Sequence, residues 1–362
     1  MNPFTPTFGM VPPYLAGRQS LITSMRRAFQ NGPGDPNLSS VLVGPRGSGK
    51  TALLSCIGDE AMKEGWLVAD TVAADNMLDD ILQRTQVVGR ELLQKNEKKQ
   101  LTGIGVGQMV SLKWESDQAE TKNWRTKMSA LLNELNKTQT GLLITVDEVR
   151  ADIPEMIQLA SMYQLFIREH AKIALVMAGL PVHINQLISH KEVSFLRRAR
   201  QHYVGRIADR DIRSAFRKTI ESAGKRIEDD ALSLAVEAAG GFAYMMQLVG
   251  YAVWEESGEK ELIDTPAAKQ GIEEAKEDFK RGVLDSTWRE LSKGDKKILE
   301  AMLKDQEYST VTDIAKRIGK TPGYVSTYKT RLLMAGVIEE LEGAVFTIAI
   351  PSFREYIKNQ SL

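Results

Sequence analysis

Gly44-Pro45-Arg46-Gly47-Ser48-Gly49-Lys50-Thr51 fits the spacing G-x-x-x-x-G-K-[ST], between an apolar run (Ser39 to Val43) and a stretch of helical spacing (Lys50 to Lys63). Glycines at that spacing let successive backbone N–H groups turn inward around a phosphate. The N-terminus of the next helix adds further N–H groups and a positive dipole end. Lys50 is expected to reach the β- and γ-phosphates as a point charge, and the Thr51 hydroxyl to ligate Mg²⁺. The chemistry this implies is binding of a purine nucleoside triphosphate. ATP is the expected nucleotide, and no guanine-reading N-K-x-D pattern occurs.

A second constellation complements the first. Leu142 to Val146 is an apolar run that ends in Asp147-Glu148. Carboxylates at the end of a buried strand call for a positive partner, because burying an unpaired charge costs several kcal/mol. A nucleotide-bound cation supplies one. Asp147 would hold Mg²⁺ through water, and Glu148 would orient and polarise the attacking water as a base.

The elements that must position these residues alternate as helix and strand to about residue 207. Trp66 to Val72, Ile173 to Met177 and Tyr203 to Ile207 read as strands, and Asp75 to Lys98, Asn123 to Asn136 and Met156 to His170 as helices. Leu101 to Glu115 reads as a hairpin. The alternation predicts an α/β fold, a parallel sheet with helices on both faces, and the Gly44 to Thr51 loop makes the expected sheet that of a P-loop NTPase. From Asp209 to Val283 the pattern is helical with no intervening strand. From Trp288 three helical segments lead into a strand–turn–strand wing ending at Ile350. The expected organisation is a core over residues 1–207, an all-α lid over 208–285 and a winged helix-turn-helix over 286–362.

Lys plus Arg (47) balance Asp plus Glu (47), so any nucleic-acid footprint must be local. Lys316, Arg317, Lys320, Lys329 and Arg331 make the winged helix locally basic. Lys320, Ser326, Thr327, Tyr328 and Lys329 are the candidate contacts to duplex DNA. Glu339, Glu340 and Glu342 in the wing would repel phosphate, which leaves a protein-binding role open. The single cysteine, Cys56, excludes an internal disulfide, and the four histidines lack zinc-site spacing. No apolar stretch approaches the ~20 residues of a membrane span, and no signal-peptide pattern opens the sequence. A soluble, cytoplasmic protein without a membrane partner is expected.

The phosphate loop, the Asp147-Glu148 strand and the helical segment after them resemble the AAA+ class of P-loop ATPases, and in particular its Orc1/Cdc6-like group. Pro13-Tyr-Leu-Ala-Gly17-Arg18 is similar to the segment that group places before its first helix, near the adenine. Gly240 to Gly250 is similar to its helical-lid motif. The resemblance implies ATP hydrolysis with Mg²⁺. It also implies an arginine near Phe195 to Arg200 acting in trans within a homo-oligomer; Arg198 is the first candidate, then Arg197, although the segment reads equally as a solvated basic face. Two positions depart from the family. Ala178 and Gly179 stand where a polar residue usually meets the γ-phosphate, and Tyr244 stands where a lid arginine usually reaches the nucleotide. Hydrolysis is therefore expected to be slow or dependent on a partner. The switch this describes would act on DNA or on a partner protein.

Overall fold

Ser39–Val43 (β1) is the second-from-edge strand of a five-stranded parallel sheet. Its companions are Leu67–Val72 (β2), Leu142–Asp147 (β3), Ile173–Gly179 (β4) and Arg200–Tyr203 (β5), in the order β2-β3-β4-β1-β5. The computed structural model describes residues 1–7, 10–100 and 123–360, with residues 90–100 by backbone alone. The hairpin expected at Leu101 to Glu115 lies outside the described residues. No helix among the described residues is long and apolar enough to cross a membrane.

The sheet is parallel because each crossover carries a helix, and helices on both faces demand strands apolar on both sides. All seven residues of β4 are buried. One face is covered by Gln19–Asn31 (α1) and Lys50–Lys63 (α2), where Met25, Phe29, Leu53 and Ile57 meet Leu42 and Val176. The other face carries Met77–Gln100 (α3), Trp124–Lys137 (α4) and Pro154–Arg168 (α5), with Ile81, Met128 and Phe166 inside. Pro181–Ser189 (α6) follows β4.

Edge strand β5 ends four residues earlier than the apolar pattern suggested. Its Arg-Gln-His-Tyr sequence is mostly exposed, while Val204 and Ile207 bury in the segment leaving the sheet.

The lid consists of Asp209–Ser222 (α7), Asp229–Ala239 (α8), Ala243–Glu256 (α9) and Thr265–Phe279 (α10). It is not purely helical. Arg226–Ile227 (β6) pairs in parallel with Leu262–Ile263 (β7), strands too short for any periodicity to reveal. Phe4, 2% exposed, is the lid's most distant core member. A Cβ on Gly250 would lie 2.3 Å from its ring, so only glycine leaves room there. Thr5 N donates to Gln247 Oε1 at 3.1 Å and completes the attachment.

α10 runs through a π-helical turn, Lys280–Leu284, into Asp285–Glu290 (α11). Lid and C-terminal domain therefore share one continuous apolar core. The winged helix follows as Lys293–Met302 (α12), Val311–Ile318 (α13), Pro322–Met334 (α14), and the antiparallel wing strands Ile338–Glu340 (β8) and Phe346–Ile348 (β9). Ser292 and Asp295 form a capping box on α12. Thr321 caps α14, with Pro322 at its first position. A final helix, Phe353–Gln360 (α15), was not anticipated, although Phe353, Tyr356 and Ile357 have helical spacing.

Candidate functional site

The loop from Gly44 to Gly49 leaves β1 at the carboxyl edge of the sheet, where open α/β sheets place their ligands. Gly44 N donates to Gly179 O at 3.4 Å, and a Cβ on Gly44 would fall 2.2 Å from Val204 O. Glycine is therefore obligatory at the loop's entry. Gly47 and Gly49 have φ of 73° and 88°, the left-handed region that turns the backbone around a concavity. Ser48 Oγ is buried without a hydrogen-bond partner, the kind of orphaned donor a phosphate oxygen would satisfy.

Lys50 begins α2, and its Nζ donates to Gly44 O and Pro45 O at 3.0 and 2.8 Å. Burial pushes its ammonium down to about 8, with Arg46 adding to the shift and Asp147 and Glu148 opposing it. Thr51 Oγ1 donates to Asp147 Oδ2 at 2.6 Å. A hydroxyl from α2 and a carboxylate from β3 thus converge on one point. Few, hard, oxygen-only donors suit a Mg²⁺ ion that keeps most of its waters.

Glu148 follows at φ 51°, uncommon for a residue with a side chain, and its N–H donates to Asp147 Oδ1 at 2.8 Å. The residue is exposed. Val149 N donates to Ala178 O at 2.9 Å. β4 thus fixes both the carboxylate turn and the loop entry through backbone carbonyls, where Ala178 and Gly179 offer no polar side chain.

The lid meets the loop directly. Tyr244 N donates to Gly47 O at 3.3 Å, and a Cβ on Gly49 would lie 3.2 Å from Ala243 Cβ. Tyr244 is therefore beside the loop by its backbone. Its ring packs 6.1 Å from that of Phe279, and burial raises its phenol. A cavity of about 720 Å³ is lined by Val11 to Gly17, α1, α2 and α7. Arg18 donates to Gly205 O at 2.5 Å and ties this segment to the exit of β5.

Arg198 ends a 3-10 turn, Lys191–Arg198, exposed and without an ion-pair or hydrogen-bond partner among the described residues. Arg197 Nε donates to Ile188 O at 3.3 Å. Of the two, Arg198 is the one left unengaged.

The candidate DNA contacts divide. Lys320, Ser326 and Thr327 are exposed. Tyr328 turns inward, filling the space above Gly294, where a Cβ would lie 2.2 Å from its ring. Lys329 also turns inward. It is 13% exposed, pairs with Glu340 at 2.5 Å and lies 5.2 Å from the centre of the Phe346 ring. Both residues hold α14 to its own domain. The glycine at 294 and the glutamate at 340 were the signals that this would happen.

Comparison with known proteins agrees with this architecture. The chain is similar to the Orc2 protein of Aeropyrum pernix, from a structure of its ADPNP–ADP complexes, with 15% identity over 98% of this chain and 96% of that one and a TM-score of 0.60. A Walker-type ATPase of Pyrococcus abyssi matches at 15% identity over 95% and 96%, TM-score 0.65. Cdc6p of Pyrobaculum aerophilum matches at 13% over 99% and 98%, TM-score 0.50. The fold is that of the archaeal Orc1/Cdc6-type AAA+ ATPases, extending over nearly the whole chain. Residues 281–357 match a family model described as Domain of unknown function (DUF8462). No curated protein matches.

Proposed function

We propose that the protein is an ATP- and Mg²⁺-binding ATPase with slow, regulated hydrolysis, a nucleotide-dependent switch that engages duplex DNA through its winged helix. The observation that carries the reading is the convergence of Thr51 Oγ1 and Asp147 Oδ2, 2.6 Å apart, at the mouth of the Gly44–Thr51 loop. Backbone N–H groups of residues 44 and 46–51 would hold the phosphates, Pro45 having none to give, and the orphaned Ser48 Oγ adds a donor. Mg²⁺ would be held by Thr51 and, through water, Asp147; when bound it neutralises charge on the β- and γ-oxygens.

Lys50 keeps its proton in neutral solution and supplies a fixed positive charge to the phosphates. Glu148, whose carboxylate has no hydrogen-bond or ion-pair partner among the described residues, takes the proton of the attacking water. The missing polar side chain at Ala178 and the Tyr244 phenol in place of a lid arginine support slow turnover. Each lost charge-assisted contact is worth on the order of 1.5–3 kcal/mol. Arg198, unpaired beside edge strand β5, is the group we assign to a neighbouring subunit's nucleotide in a homo-oligomer. The experiment is ATP turnover with and without duplex DNA, beside Lys50→Ala. Turnover that survives Lys50→Ala rejects the site.

A second reading, a switch whose winged helix binds protein, is favoured by one observation. Lys329 is spent on Glu340, and the wing presents an exposed Glu342 besides. Failure to bind duplex DNA at low salt would select it.

A further inference from the structure

Among the described residues, the C-terminal domain meets the ATPase core at the phosphate loop, at α6 and at the end of β5. Gly336, just past α14, has φ 68° and is buried. A Cβ there would lie 3.1 Å from Arg46 Cγ and 3.2 Å from Leu180 Cδ1, so the turn's backbone sits on the stem of a phosphate-loop arginine. The end of α14 packs against α6, the helix that carries His183. Tyr203 OH donates to Glu339 Oε2 at 3.1 Å, joining the end of β5 to wing strand β8. The residue after Tyr203 is Val204, whose carbonyl borders Gly44 and whose N–H donates to Val43 O.

The Arg46 guanidinium, in contrast to its stem, has no ion-pair or hydrogen-bond partner among the described residues. We infer that the winged helix is latched onto the phosphate loop through Gly336 and Arg46, and that a nucleoside triphosphate in the loop competes with the winged helix for Arg46. The inference rests on the reading of Gly44–Thr51 as the nucleotide site. Guanidinium–phosphate pairs are among the stronger charge-assisted hydrogen bonds. An Arg46 head drawn to the phosphates takes with it the stem on which Gly336 sits. Phosphates that spread the loop at Gly44 press on Val204 and so on the adjacent Tyr203–Glu339 bond. Docking by the end of α14 leaves Ser326 and Thr327 at its start exposed, so release alters where that surface points rather than uncovering it.

Coupling of this kind is reciprocal: what loosens the winged helix must tighten nucleotide. Tyr203→Phe and Glu339→Ala each remove the wing bond without touching the phosphate loop. In the full-length chain each should bind AMP-PNP with Mg²⁺ about 2- to 10-fold more tightly than wild type, the span for one net hydrogen bond. A Tyr203→Cys/Glu339→Cys pair in a Cys56→Ser background, joined by a short bismaleimide, reads docking directly. It should crosslink in the free protein, and the yield should fall several-fold with saturating AMP-PNP. If both single variants bind with wild-type affinity, or the crosslink yield ignores nucleotide, the latch is wrong. Wild-type protein that binds no AMP-PNP would overturn the nucleotide reading and the latch together, a separate result from binding without a change in crosslinking.

Discussion

At the residue scale, Lys50 sets a pH dependence. Its ammonium is held down to about 8 in the free protein by burial, and phosphate charge in the complex must raise it. Below about 8 both forms carry the proton and affinity is flat. Above it, binding must take up a proton, so affinity falls by up to about tenfold per pH unit until the pKa of the complex is reached. Titration of a fluorescent ATP analogue between neutral and alkaline pH checks this; flat affinity through that range rejects the assignment. Glu148→Gln should leave nucleotide binding intact and lower turnover about 10²-fold or more, the usual contribution of a positioned base, measured as phosphate release. Lys50 and Thr51 stood out as candidates by spacing, and Asp147 by its place at the end of an apolar run, because chemistry restricts those positions to few residue types. Arg46 was legible only as a variable position of the loop; its contact with Gly336 depends on tertiary placement. Tyr328 and Lys329 misled because side-chain type was read without the partners, Gly294 and Glu340, that claim them.

At the element scale, long periodic segments were readable and short ones were not. β4 is apolar throughout and β3 is largely apolar up to its terminal Asp147, and α9 begins after the Gly240-Gly241 pair, so each announces itself. β6 and β7 have two residues each, and β5 is an exposed polar edge, so none carries a period. The attachment of residues 1–7 to α9 was likewise hidden, since Phe4 lies among prolines and its socket is defined by Gly250. Phe4→Ala should destabilise the lid by about 3–5 kcal/mol, the range for a buried phenylalanine. The urea midpoint, at unchanged slope, is the measurement; a change within error would mean that the segment does not hold the lid.

At the scale of the whole molecule, the expected division at residues 285 and 286 describes the chain better than it describes the core. Helices α10 and α11 are continuous through the π-helical turn, Tyr356 OH donates to Asp285 Oδ1 at 2.6 Å, and Trp288 packs on Phe353. Composition marks where lid-like sequence ends, but apolar contact crosses that point. If the switch acts on DNA, binding should weaken as salt rises. Lys320→Glu should lower affinity at low salt and reduce the slope of log affinity against log salt by about 1, one phosphate contact. An unchanged slope removes Lys320 from the interface. The seat of Phe4 against Gly250 also bears on how the molecule is made. Synthesis delivers residues 1–7 some 240 residues before the helix that receives them, a separation spanned by the bond from Thr5 to Gln247. Until then an aromatic side chain has no socket, and the sheet can be complete before the lid is. The lid is thus sealed by a segment made long before it, which makes that segment a target for whatever guards unfinished polypeptides on the ribosome.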